Sequence, residues 1–275
     1  MSDARYRPVV LSIAGSDSGG GAGIQADLKA IAAMVAWGAT AVTCLTSQNL
    51  RGVRSVQPTE PTILADQIDA VCEGFAVRAV KTGMLYSREL IEVVVDRFGH
   101  HQPGPLVVDP VMVATSGARL LRDDAVDTLR RELLPLAALV TPNLEEAAIL
   151  ARREVRTLPE MREAADAIRE LGAAAVLVKG GHLAGDAVDV LVDASDVQEL
   201  RAPRVLSAGA DHGTGCTLAS AIAAGLALGL ALPEAVSAAK RLLTDALLNR
   251  GSLGGGVEAL DLFWRTGRPG SVLML

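Results

Sequence analysis

Residues 211–225 read DHGTGCTLASAIAAG. A glycine turn, with Gly213 and Gly215, runs straight into an alanine-rich stretch, and Cys216 stands at the joint. Helix starts leave backbone N–H groups unpaired and carry the positive end of the helix dipole. Glycines at such a start let several N–H groups converge on one anion. HGTGC is therefore a candidate anion hole, although a Gly-x-Gly turn alone also serves as a plain tight loop. A thiol in the first helical turn is expected to have its pKa lowered by the same dipole. Cys44 and Cys72 read as inert packing. The run 214–232 has almost the length and apolarity of a membrane span. It holds Gly225 and Gly229, lacks interfacial aromatics and is alone in the chain, so it reads as a buried core helix.

Outward from this helix, short apolar runs alternate with longer helical patterns. Strands are expected at 8–15, 40–47, 77–83, 105–110, 137–143 and 174–181. Helices are expected near 23–36, 61–73, 87–98, 123–133, 144–151, 159–171, 215–229 and 233–249. Apolar strands separated by helices predict an α/β fold whose mostly parallel central sheet is covered on both faces. Residues 188–203 read as an antiparallel edge hairpin turning at ASD, and 48–58 as a second, smaller hairpin. No repeat, low-complexity tract or linker interrupts the chain, so one domain over 1–275 is expected. Ligands of such sheets bind beyond the carboxyl ends of the strands. Here those ends read AGSDSGGGAG, TSQN, KTGM, DPVM, TPNLEE and KGGH, nearly all polar or glycine-rich.

Bulk properties narrow the chemistry. The net charge is −6 and there is no basic tract, which argues against a nucleic-acid partner. Three cysteines without a CxxC suggest neither a disulfide framework nor a zinc site. No apolar signal core precedes the first strand, so a cytoplasmic location is expected and no membrane partner. GAGIQA (21–26) fits a dinucleotide fingerprint ending in Ala, but the next strand ends in Gln48 and Asn49 rather than an acid, and the loop is long. A nicotinamide-type oxidoreductase is thereby disfavoured, and no Walker A motif is present.

Seven blocks occur in a telling order: AGSDSGGGAGIQADLKA, SQNLRGV, KTGM, VVDPVMVATSG, LVTPNLEEA, LVKGGH and HGTGCTLASAIAAG. Together they resemble the ribokinase-like kinases, with a three-layer α/β/α fold, over residues 8 to about 250. Within that group they resemble the hydroxymethylpyrimidine/phosphomethylpyrimidine kinases of thiamine biosynthesis. Pyridoxal kinases share part of the pattern.

The resemblance implies an ATP- and Mg2+-dependent kinase, commonly a homodimer, that phosphorylates a pyrimidine alcohol and then its monophosphate. It implies that Gly213, Thr214 and Gly215 form the anion hole and that Cys216 is the base, where most relatives of the fold carry Asp. Gly15, Asp27, Gln48 and Met84 match substrate-pocket positions. Asp109, Asn143 and Lys179 match phosphate-contacting positions, and Asp109 with Glu146 matches a Mg2+ site acting through water.

Without the resemblance several of these residues have plainer readings. Asp27 is then a surface helix carboxylate, Met84 core filler and Gln48 a strand-end cap. Asn143 and Glu146 are a helix cap and a first-turn acid. A lysine ending an apolar strand, as Lys179 does, calls for an anionic partner in either reading. His182 and His212 are polar loop residues with no spaced metal partners. Ala210 and Asp211 replace the usual Asn-Thr of the family, and GSLGGGVEALDLF lacks its His-Gly-rich ending. A pyridoxal kinase, and a vitamer- or nucleotide-binding protein without catalysis, are the alternatives.

Overall fold

The computed structural model describes residues 6–49, 52–113, 120–181, 183, 185–205, 212–254 and 257–263. The chain runs β1 (Val9–Asp17), α1 (Gly23–Ala33), β2 (Trp37–Asn49), β3 (Gly52–Pro58), α2 (Pro61–Gly74), β4 (Val77–Thr82), α3 (Arg88–His101) and β5 (Leu106–Val108). A helical stretch over 123–136 follows, with α4 (Val126–Thr128) inside it. Then come β6 (Leu139–Val140), α5 (Leu144–Ala151), α6 (Leu158–Arg169), β7 (Val176–Val178), β8 (Ala187–Val192) and β9 (Val197–Ala202). The last elements are α7 (Thr214–Ala227), α8 (Leu232–Leu248) and a small hairpin of β10 (Gly251–Gly254) and β11 (Val257–Ala259).

Nine strands form one sheet in the order β3-β2-β1-β4-β5-β6-β7-β8-β9. The six from β2 to β7 are parallel, and β3, β8 and β9 pair antiparallel at the two edges. Alternation along the central strands divides two cores. Leu11, Ile13, Leu106 and Val108 pack toward α2, α3, α5 and α6. Val10, Val107, Leu139 and Leu177 pack toward α1, α7 and α8. Both faces of a parallel sheet are thereby covered, as its apolar strands require.

Alanine sets the second layer. Ala219, Ala221, Ala223 and Ala224 of α7 are fully buried. A Cβ on Gly225 would lie 2.9 Å from the Ala235 Cβ, so α7 and α8 approach almost to backbone contact. The helix stops before Gly229, at φ 88. Among the described residues no helix is long and apolar enough to cross a membrane.

The structure departs from expectation in four places. The helix expected at 123–133 is a succession of 3-10, α and π turns, ending in a 3-10 turn that contains Pro135. Proline lacks the N–H that would extend a regular helix. The first hairpin is deeper than 48–58, with pairs from Cys44↔Pro58 to Asn49↔Gly52. The C-terminal hairpin was unforeseen, because glycine-rich GSLG carries no alternating pattern. Strands β5, β6 and β7 are also shorter than their apolar runs. Asp109, Asn143 and Lys179 therefore fall past the strands themselves, with Asn143 and Lys179 still joined in an isolated parallel bridge.

Candidate active site

The carboxyl ends of the parallel strands open onto a cavity of about 1110 Å³ whose wall includes Gly15, Gln48, Met84, Asp109, Lys179 and Cys216. Two glycines at the start of α7 shape its middle. Gly213 caps the helix at φ 83, and a Cβ there would overlap the Gly21 carbonyl oxygen of the β1–α1 loop. Only glycine fits both the left-handed backbone and that approach. Gly215 has no such φ, but a Cβ on it would stand 3.2 Å from Lys179 Nζ and 3.5 Å from Asp109 Oδ2. Its missing side chain leaves the ammonium and the carboxylate facing the helix start.

Lys179 Nζ donates to Asp109 Oδ1 at 2.9 Å, and Thr141 Oγ1 donates to the same oxygen at 3.3 Å. Burial works against the Lys179 charge, but Asp109 and Glu146 outweigh it and hold the amine above its ordinary range. Asn143 and Glu146 close a capping box on α5: each backbone N–H donates to the other's side chain at 2.9 Å. Val111, a β-branched residue on the cavity wall, is held at φ 39, a strained left-handed value. Just past this turn, the Met112 N–H donates to Glu146 Oε1 at 3.3 Å. Burial raises the Glu146 carboxyl above its usual range, with Lys179 pulling against it. The plain and the functional readings of Asn143 and Glu146 thus coexist.

No group of three His, Cys, Asp or Glu side chains stands ready to hold a metal among the described residues. The donors near the anion hole are hard carboxylate oxygens. Both Glu146 oxygens already accept backbone N–H groups, while Asp109 Oδ2 faces Gly215. Such a set suits Mg2+ bound chiefly through water and phosphate rather than in an all-protein cage.

Two expectations need correction. Cys216 is half-buried on the cavity wall, and its thiol is not lowered by the helix start. Loss of water contact pushes it up to about 11; Lys81 and the Gly23 N–H pull it down, while Asp27 and Asp109 push it further up. Asp27, expected in the substrate pocket or on the surface, does neither: it is fully buried and lines no part of the cavity. Its carboxylate takes both Lys81 contacts (2.8 and 2.9 Å) and accepts from Ser12 at 2.6 Å and Ser220 at 2.7 Å. Burial opposes the Lys81 charge, yet Asp27 holds that amine above the ordinary lysine range.

Gln48, Met84 and Gly15 line the same cavity, and Met84 packs with Cys44 and Leu120 in an apolar cluster. The Gly15 backbone is so close that a Cβ would lie 3.2 Å from Met84 Sδ. Sequence reasoning missed Asp17, which ends β1 and is 3% exposed. Its carboxylate accepts the N–H groups of Gly19, Gly21 and Ala22 and contacts His212 Nε2 at 2.9 Å. The available signal was an Asp leading a glycine run, the usual way for a side chain to gather loop N–H groups. His182, Ala210 and Asp211 lie outside the described residues.

With this geometry in place, likeness to known proteins is informative. The family model described as phosphomethylpyrimidine kinase matches residues 17–261. The chain is 51% identical over 267 residues to the hydroxymethylpyrimidine/phosphomethylpyrimidine kinase of Rhizobium meliloti (strain 1021), covering 94% of this chain and 98% of that protein. The ADP complex of Bacillus subtilis pyridoxal kinase superposes with a TM-score of 0.86 at 35% identity, over 95% of this chain and 100% of that one. The phosphomethylpyrimidine kinase from Clostridium difficile 630 superposes at 0.79 with 41% identity, over 88% and 100%.

Proposed function

This chain belongs to the phosphomethylpyrimidine kinase family, and on that premise we propose that it uses ATP to phosphorylate 4-amino-5-hydroxymethyl-2-methylpyrimidine and then its monophosphate, for thiamine biosynthesis. One observation carries the reading. A helix start whose Gly213 and Gly215 carry no side chain, set over the Lys179–Asp109 pair, shares a cavity with Gln48, Met84 and Cys216.

Phosphoryl transfer needs position and charge neutralisation more than covalent help. Lys179 and the backbone of Gly213, Thr214 and Gly215 meet the phosphoryl oxygens, where fixed donors cost no reorganisation as charge moves. Asn143 holds the α5 start beside them. Asp109 and Glu146 would hold Mg2+ through water, and the bound ion would supply further positive charge to the phosphates. Gln48 offers a donor and an acceptor to an aminopyrimidine edge, and Gly15 and Met84 close over the ring. Cys216 takes the alcohol proton as thiolate, so turnover climbs with pH toward the raised thiol value of about 11. The same reading takes residues 1–275 as one domain and the protein as a cytoplasmic homodimer. The β2–β3 edge, where Leu45 is 58% exposed, suits contact between copies.

Incubation with ATP, Mg2+ and each candidate alcohol, with products separated by mass, tests the proposal. Pyrimidine mono- and diphosphate are expected. Phosphorylation of pyridoxal in preference would favour the activity named for the Bacillus subtilis structure. Binding without turnover would leave a binding protein. Cys216→Ser should lower turnover by about 10²–10⁴ and remove the alkaline rise, while Cys216→Asp keeps some activity. A pH profile unchanged by Cys216→Ser takes the thiol out of the chemistry.

A further inference from the structure

We propose that Asp17 and His212 form a positioning pair that fixes the orientation of the Gln48 amide, and so decides which edge of a heteroaromatic ring the pocket accepts. The inference rests on the kinase reading above and deepens it at the substrate end.

The argument follows single protons. Asp17 Oδ1 accepts from Gly19 N at 2.8 Å, and Oδ2 accepts from Gly21 N at 3.0 Å and Ala22 N at 2.8 Å. His212 Nε2 lies 2.9 Å from the same Oδ2. Burial presses this carboxyl upward, but His212 and the loop N–H groups hold it below its usual range, so it stands ionised. An ionised carboxylate only accepts, and the imidazole must therefore carry its proton on Nε2. That nitrogen is also 3.4 Å from the Gln48 amide end placed as Nε2, while its one proton lies toward Asp17, the nearer acceptor. A bare Nε2 would turn its lone pair on the carboxylate.

The other amide end, placed as Oε1, lies 3.2 Å from Thr46 Oγ1. Thr46 has one hydroxyl proton, and the Ser16 carbonyl oxygen stands 2.8 Å from it. A carbonyl oxygen cannot donate, so the proton goes to Ser16 and Thr46 turns lone pairs toward Gln48. The amide thus sits between the N–H edge of His212, which offers it no lone pair, and an acceptor, Thr46. As placed, the amide sets N–H against N–H at His212 and oxygen against a lone pair at Thr46; exchanging its oxygen and nitrogen removes both conflicts, and amide ends are told apart by such partners. One N–H and one oxygen lone pair then remain for a ligand, side by side.

The pair also couples two loops. His212 precedes Gly213, and Gly21, held by Asp17, is the residue whose carbonyl packs against Gly213. The ring-reading glutamine and the anion hole are thereby set by one carboxylate. Asp17 and His212 act through other groups and are positioning residues.

The test compares kcat/KM for the aminopyrimidine alcohol with that for the same alcohol lacking the amino group. His212→Leu should reduce the parent's preference for the amino compound by about tenfold, the scale of one hydrogen bond to a fixed amide. Asp17→Asn should do the same, because an amide cannot accept at both ends. His212→Gln keeps an N–H at the reach of Nε2 and should restore most of the preference. It also keeps the test informative where the Leu variant fails to fold. Equal losses for both alcohols, with the preference intact, would overturn the pairing and leave Asp17 and His212 as loop scaffolding. A parent that phosphorylates neither alcohol overturns the kinase reading and this inference with it, and that failure is visible before any substitution.

Discussion

Lys81 of β4 with Asp27 of α1, and Lys179 past β7 with Asp109 past β5, are the same chemical pair, closing at 2.8 and 2.9 Å. Lys81 and Asp27 are fully buried, and Ser12 and Ser220 occupy the remaining lone pairs of the carboxylate. The Lys179 side chain keeps 16% exposure, and Gly215 above it supplies no side chain to cover it. The first pair is closed on itself and the second is open to a ligand. The difference lies less in the charges than in what surrounds them: two serines in one case, a glycine in the other. A buried pair with no spare acceptor specifies packing. A pair beneath a helix start can exchange part of its contact for a phosphate.

Removing one partner of the sealed pair should give the largest effect. Lys81→Met strands a buried carboxylate, at about 3–5 kcal/mol of unfolding free energy measured by urea titration. The double variant Lys81→Met with Asp27→Leu should recover part of that loss. No loss in the single variant would show that water reaches Asp27.

The same change in the open pair should act on ligand rather than fold. Lys179→Met should weaken ATP binding by about 1.5–3 kcal/mol, roughly ten- to a hundredfold by calorimetry, with a smaller loss of stability than Lys81→Met. An equal loss of stability for the two variants would erase the contrast.

The smallest effect concerns Cys216, which feels Lys81 and Asp27 on one side and Asp109 on the other. Its folded-state value is raised from the ordinary 9.0 to about 11, chiefly by burial. The native state therefore holds the proton longer than the unfolded chain. The stability from the neutral thiol is complete below about pH 9 and is lost as pH rises toward 11. Melting temperatures of the parent should fall more steeply over that window than those of Cys216→Ala; parallel curves would mean that the thiol meets water.

The layers and the parallel order of the sheet were legible because unbroken apolar runs between helices leave few other arrangements. The site's address was legible too, since glycine and polar residues collect at the strand ends. What failed was non-local. Cys216 obeys the helix-start rule by position, but its surroundings come from Lys81 on β4, Asp27 on α1 and Asp109 beyond β5. Asp17 and His212 are 195 residues apart, which no local pattern links. Asp27 did carry a signal: Ala26, Asp27, Ala30 and Ile31 form the buried stripe of α1, and a carboxylate in such a stripe needs a cation.

The alanine packing of α7 has an evolutionary consequence. Where Gly225 of α7 meets Ala235 of α8, a single added methyl group would have to push the two helices apart. The Gly213–Gly215 turn is mounted on that helix. Changes of acceptor that leave this mount in place would fall on cavity-wall side chains carried by other elements, such as Met84 just past β4.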